Sequence, residues 1–179
     1  RPPAHLDLDN APAYAAWRIG HTMRTPSALD LLWGAAWLDR KPTLGTLPLA
    51  RYYRGAEVVT MRSAWDAPDA TFVGFKGGDN KVNHGHLDLG SFVLDAAGRR
   101  WAMDLGADNY NLPGYFGAGR WNFYRCRAEG QNTLVLNPGG ELDQDSRAVA
   151  PITSFKSADG RSFAISDLSA AYAKSATSV

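Results

Sequence analysis

Apolar positions along this chain follow two periods, and the change between them falls near residue 50. Pro12 to Met23 places Tyr14, Trp17, Ile19 and Met23 at helical spacing. Thr25-Pro26-Ser27 can open a second helix through Leu29, Leu32, Trp33, Ala36 and Trp37, which Lys41-Pro42-Thr43 stops. Leu44 to Arg54, with Gly45, Pro48 and Gly55, reads as a linker. After Gly55 the pattern turns to strands. Glu57 to Trp65 carries Val58, Val59, Met61 and Ala64, and Thr71 to Lys76 follows after a turn at Asp66 to Asp69. Ser91 to Asp95 and Arg99 to Asp104 form a hairpin around Ala96-Ala97-Gly98, and Asn132 to Asn137 and Ser162 to Leu168 are further strands. The fold class is therefore mainly β with N-terminal helices, in two parts, 1–50 and 51–179. The two helices carry more aromatic surface than they can bury against each other.

Composition narrows the partners. The chain has 179 residues, 45% hydrophobic content and a net charge of +1, ordinary for a globular protein. No Lys/Arg run suggests nucleic acid, and no apolar run approaches the roughly 20 residues of a membrane span. The lone cysteine, Cys126, excludes an intramolecular disulfide. No signal peptide opens the chain, although an export signal could have been lost with upstream sequence.

Candidate chemistry concentrates in Asn83-His84-Gly85-His86-Leu87-Asp88-Leu89-Gly90 and the hairpin that follows. If the hairpin turn centres near Ala97, Ser91 pairs with Met103 and Asp104 returns beside Gly90. His86, Asp88 and Asp104 would then crowd one open end. Such a cluster can hold zinc, or hold a histidine in one tautomer for acid–base work; a polar loop with Asp104 on turn amides is the plainer reading. Ala107 to Arg120 is a long loop, and long loops in compact domains are often functional. Its Tyr110, Tyr115 and Arg120, with Trp121, suit a sugar: aromatic faces for apolar ring surfaces, a guanidinium for a carboxylate.

Two familiar HxH motifs fail. The HxHxDH motif of metallo-β-lactamase-like hydrolases needs a histidine after Asp88, where Leu89 stands, and amidohydrolase-type HxH needs later histidines; none follows His86. A longer match succeeds. NHGHLDLGSFVLDAAGRRWAMDLGADNYNLPGYF, followed by RCRAEGQNTLVLNPGG, resembles the C-terminal region of the heparinase II/III-like family of polysaccharide lyases.

The resemblance implies a fragment of a larger α+β lyase, ending an α/α toroid and beginning an antiparallel β-sandwich. It implies cleavage of a uronate-containing polysaccharide or oligosaccharide, alginate or a glycosaminoglycan, by β-elimination. The acidic polymer and the remainder of its own polypeptide are then the partners, and a periplasmic or secreted location is expected. His84 corresponds to a histidine near the substrate carboxylate, and His86 and Asp104 to two ligands of a structural zinc. Tyr115 is the second catalytic candidate; Asn83, Tyr110, Arg120 and Gln131 are expected substrate contacts. Further catalytic residues are expected upstream of Arg1. Gln131, in Gly130-Gln131-Asn132-Thr133, stands where many relatives have a third metal-ligating histidine, and an amide oxygen is a poor zinc ligand. A non-catalytic carbohydrate-binding β-sandwich is the alternative.

Overall fold

Val58–Arg62 and Phe72–Lys76, runs rich in valine, phenylalanine and other large side chains, pair with each other and organise the largest sheet. The structure, a computed structural model, describes residues 47–179 apart from Asp66 and Asp159. The expected helices over 12–23 and 25–40, and with them any toroid, lie outside the described residues. Pro48–Val179 is one compact unit, and every strand pair described in it is antiparallel.

The large sheet contains β1 (Ala50–Tyr53), β2 (Val58–Arg62), β3 (Phe72–Lys76), β5 (Phe92–Ala96) and β6 (Arg99–Ala102), in the order β1-β2-β3-β5-β6. β4 (Gly78–Asp79) pairs with β7 (Val149–Ala150), and β8 (Ile152–Ala158) forms a hairpin with β9 (Arg161–Ser166). A small core of Leu89, Ala148, Ala150, Ala171 and Tyr172 takes Leu136, Leu168 and Ala176 against it.

Three expectations need correction. The second half of the expected linker is β1, because Arg51 and Tyr52 find ladder partners in Thr60 and Val59. Asn132 to Asn137 is irregular rather than a strand. The amides of Leu136 and Asn137 donate to the Asp143 carboxylate instead of to a neighbouring strand (2.9 and 3.0 Å). The hairpin turns at Ala97 and Gly98 as expected, both with positive φ (51° and 70°), but its register differs. Leu94 faces Ala102 across an irregularity next to Asp95, and the ladder ends there. Met103 lies beyond it, and Asn132 Nδ2 donates to its carbonyl (3.0 Å) and to that of Phe92 (2.9 Å) where the ladder has stopped.

Glu57 ties the β1–β2 hairpin to β8. Its carboxylate accepts from Tyr52 Oη (2.5 Å), the Gly55 amide (3.1 Å) and the Ile152 amide (2.8 Å), while its carbonyl accepts from the Gly77 amide (2.8 Å). Burial pushes the carboxyl pKa up, but the three donors, Tyr52 foremost, outweigh it and hold the group below its ordinary 4.5. A depressed carboxyl stabilises the fold fully above its unfolded pKa, and that contribution is lost as the pH falls through the folded value. Glu57→Gln is therefore expected to cost about 1 kcal/mol at neutral pH and to flatten the acid limb of the stability curve. Thermal melts of both proteins from neutral to acid pH check this, and parallel curves would be the contrary result.

Candidate functional site

Beyond β4 the chain folds back through a turn over Val82-Asn83-His84-Gly85, closed by the Gly85 amide on the Val82 carbonyl (3.0 Å). Position 85 needs glycine, since a Cβ there would sit 2.9 Å from the Val82 carbonyl oxygen. His84 adopts φ 61°, a left-handed conformation that costs a non-glycine residue about 1 kcal/mol or more. The turn thus leaves the His84 side chain exposed. Its imidazole stacks on Tyr110 (5.7 Å, 20°) and meets the edge of Phe116 (5.1 Å, 81°). Tyr110 and Phe116 are themselves 50% and 52% exposed, so the three rings form an open platform with a titratable group on it. Asn83 is exposed beside His84.

The other residues expected in the cleft sit differently. Tyr115 is 1% exposed, its hydroxyl accepting from the Asp108 amide (3.2 Å), and it packs under the loop against Phe123 (5.2 Å). Burial, and then the Cys126 thiol, push its pKa up, which disfavours the phenolate. Tyr115 is a packing residue, not an open catalytic group. Arg120 does not hold its guanidinium out for a substrate carboxylate either. Nε and Nη2 donate to the Gly85 carbonyl (3.2 and 2.7 Å), Nη2 to the His84 carbonyl (3.0 Å) and Nη1 to the Tyr115 carbonyl (3.1 Å). Gln131 is buried, with its amide engaged by the Arg125 carbonyl and His86.

His86 faces the interior. Gln131 Nε2 lies 2.6 Å from the Arg125 carbonyl, which fixes the amide orientation, and donates to His86 Nδ1 (3.1 Å). That bond selects the neutral tautomer with its proton on Nε2. Burial holds the imidazole below its ordinary 6.5, helped by Arg120 and Lys76 and opposed by Asp88 and Asp104. The expected His86–Asp88–Asp104 cluster does not form. Asp88 is paired with Lys76, and Asp104 Oδ1 accepts from the Gly106 amide in a surface turn (2.6 Å). Among the described residues no three His, Cys, Asp or Glu side chains gather as metal ligands. This donor set does not fit a structural zinc: Asp88 is taken by Lys76 and Asp104 by the Gly106 amide, and Gln131 turns an N–H rather than an oxygen toward His86.

What braces the loop from behind is Gln144, fully buried. Its Nε2 donates to the Leu89 carbonyl and to Tyr172 Oη (both 2.9 Å), and its Oε1 accepts from the Leu89 amide (3.1 Å) and Asn80 Nδ2 (3.3 Å). Thr133 Oγ1 adds a second bond to the Leu89 carbonyl (2.6 Å). Sequence reasoning missed Gln144, Phe116 and Lys76. Phe116 could have been found from its place in the aromatic loop; the other two carry no local signal.

Two outcomes are expected. Gln144→Leu should cost about 2–4 kcal/mol, because the Leu89 amide and the Asn80 side chain lose a partner in a buried place. Denaturant unfolding measures it, and a change under 1 kcal/mol would show that water or repacking replaces the amide. Asp104→Ala should cost about 0.5 kcal/mol or less, with or without chelator. A larger, chelator-sensitive loss in thermal melts would show that Asp104 holds a metal after all.

Three comparisons bear on identity. No curated protein sequence matches the chain. Among solved structures it is similar to a mutant of the heparan sulfate lyase HepC from Pedobacter heparinus, with a TM-score of 0.54 at 16% identity. That likeness covers 89% of this chain and 24% of the other, so the chain spans about a quarter of the length of that structure. At that identity it speaks for the fold alone, a mainly β, antiparallel one. The sequence profile described as "Heparinase II/III-like, C-terminal" matches residues 48–177, the span that holds all the described strands, the histidine turn and the aromatic loop, and the chain belongs to that family.

Proposed function

We propose that this chain is the β-domain share of a polysaccharide lyase that cleaves a uronate-containing chain, alginate or a glycosaminoglycan, by β-elimination. The observation that carries the reading is His84, held exposed on a left-handed turn and flanked by half-exposed aromatic rings, in a member of this family. In such an elimination a base takes the proton from C5 of the uronate. The electron pair forms the C4–C5 double bond, the C4–O bond breaks, and the leaving oxygen is protonated. The carboxylate on C5 opposes the first step, because the carbanion places more negative charge beside it. An imidazole N–H directed at that carboxylate disperses the charge, which is the work assigned to His84. Tyr110 and Phe116 would receive the apolar face of a sugar ring, and exposed Asn83 could bond its hydroxyls. The base and the remaining groups would come from the rest of the polypeptide, and an extracytoplasmic location, periplasmic or secreted, suits a polymeric substrate.

The open aromatic platform equally serves a binding module without catalysis, and one experiment separates the two. Full-length protein is incubated with alginate and glycosaminoglycans, and the ultraviolet absorbance of the 4,5-unsaturated product is followed. His84→Ala is expected to lower kcat by about 10²–10⁴-fold with its melting temperature unchanged. Binding of a polymer without any unsaturated product would favour the binding module. Turnover retained in a folded His84→Ala protein would remove His84 from the chemistry.

A further inference from the structure

We infer that Arg120 is the positioning residue of the site, setting where the His84 imidazole stands without touching substrate. The inference rests on the reading of His84 as the group that meets the substrate. The carbonyl of His84 belongs to a left-handed turn residue and has no ladder partner; Arg120 Nη2 supplies its bond (3.0 Å). The same nitrogen and Nε hold the next carbonyl, Gly85 (2.7 and 3.2 Å), so the guanidinium grips two successive carbonyls of the turn. Its remaining nitrogen, Nη1, holds the Tyr115 carbonyl (3.1 Å), which lies next to Phe116 in the aromatic loop. One planar group therefore binds both halves of the site: the turn that carries His84 and the loop that carries the rings against it.

The guanidinium is itself fixed in place. It lies 4.9 Å from the Tyr115 ring and 5.6 Å from those of Phe116 and Trp121. Lysine could not reproduce the arrangement, because one ammonium cannot span three carbonyls with the geometry of a rigid fork. Its loss would leave the turn to water and free the imidazole to swing against its ring partners. A displacement of an ångström in an acting group costs on the order of 100-fold in rate. The charge-preserving substitution should thus behave as a positional defect in His84.

The test uses the full-length protein with Arg120→Lys, Arg120→Gln, His84→Ala and the two double variants that contain His84→Ala. Arg120→Lys is expected to lower kcat by about 10- to 100-fold with KM changed less than about two-fold. In the His84→Ala background it should cost nothing further. Arg120→Gln, which also lacks the fork of donors, should show a loss of the same kind. A raised KM with intact kcat would mean that Arg120 binds substrate directly and would overturn the inference. Multiplication of its effect with that of His84→Ala would overturn it too. If Arg120→Lys does not fold, Arg120→Gln decides: a kcat-selective loss that vanishes without His84 supports the clamp, and an unchanged or KM-only response refutes it. Histidine ring carbon signals, assigned with His84→Ala, give a readout independent of turnover. A His84 signal shifted or broadened in the folded Arg120→Lys or Arg120→Gln protein keeps the inference even where the full-length protein eliminates nothing; an unmoved signal ends it.

Discussion

The side chain of Gln144 is fully buried, and its hydrogen-bonding groups are turned toward Leu89, Asn80 and Tyr172. Leu89 closes the segment that leads out of the histidine turn, and Asn80 opens the turn from the other side. A neutral amide can donate and accept at once, so it holds both the N–H and the C=O of one residue without burying a charge. Everything in front of it depends on that anchor. The small apolar core around Tyr172 supplies the burial, and the amide supplies the direction from which the loop must leave.

Two histidines two residues apart meet opposite environments as a result. His86 is half-buried, with a ring nitrogen occupied by Gln131, and burial lowers its pKa from the ordinary value. His84 stands outside on the left-handed turn, with rings for neighbours and its backbone held by Arg120. The permanent positive charge nearest the site is thus engaged with backbone dipoles, and the acidic residue nearest the inner histidine, Asp88, is neutralised by Lys76. An anion approaching His84 would find an imidazole and aromatic faces rather than a free guanidinium. The outer imidazole is thus open to a ligand, while the inner one is held by its neighbours.

Much of this was legible in the sequence and some was not, for physical reasons. Strands β2, β3, β5, β6 and β9 follow β-branched and aromatic runs bounded by turn residues, and the periodicity reports them. β8 escaped because Thr153, Ser154, Lys156 and Ser157 dilute its apolar signal. The expected strand over Asn132 to Asn137 failed because the Asp143 carboxylate, a residue outside the run, takes the amides a ladder would have used. The histidine segment and the aromatic loop were each readable as candidates, but that His84 stacks on Tyr110 was not, because no spacing in the sequence joins them. The hairpin register was not legible either: the irregularity beside Asp95 shifts the pairing and ends the ladder at Leu94 and Ala102, and no residue type announces it. Arg120 and Gln131 were read for their chemistry as free side chains. Their roles are decided by where unpaired carbonyls lie, which is a property of the folded backbone.

The Gln144 bonds also say something about the order of events in synthesis. The amide meets Leu89 across 55 residues of sequence and Tyr172 across 28. A ribosome delivers the histidine segment long before it delivers the residues that orient it. The hairpin β5–β6 and the β2–β3 pair can form as soon as they emerge, because their partners are close in sequence. The brace behind the histidine turn is complete only once Gln144 and then Tyr172 have emerged, after the strands of the large sheet.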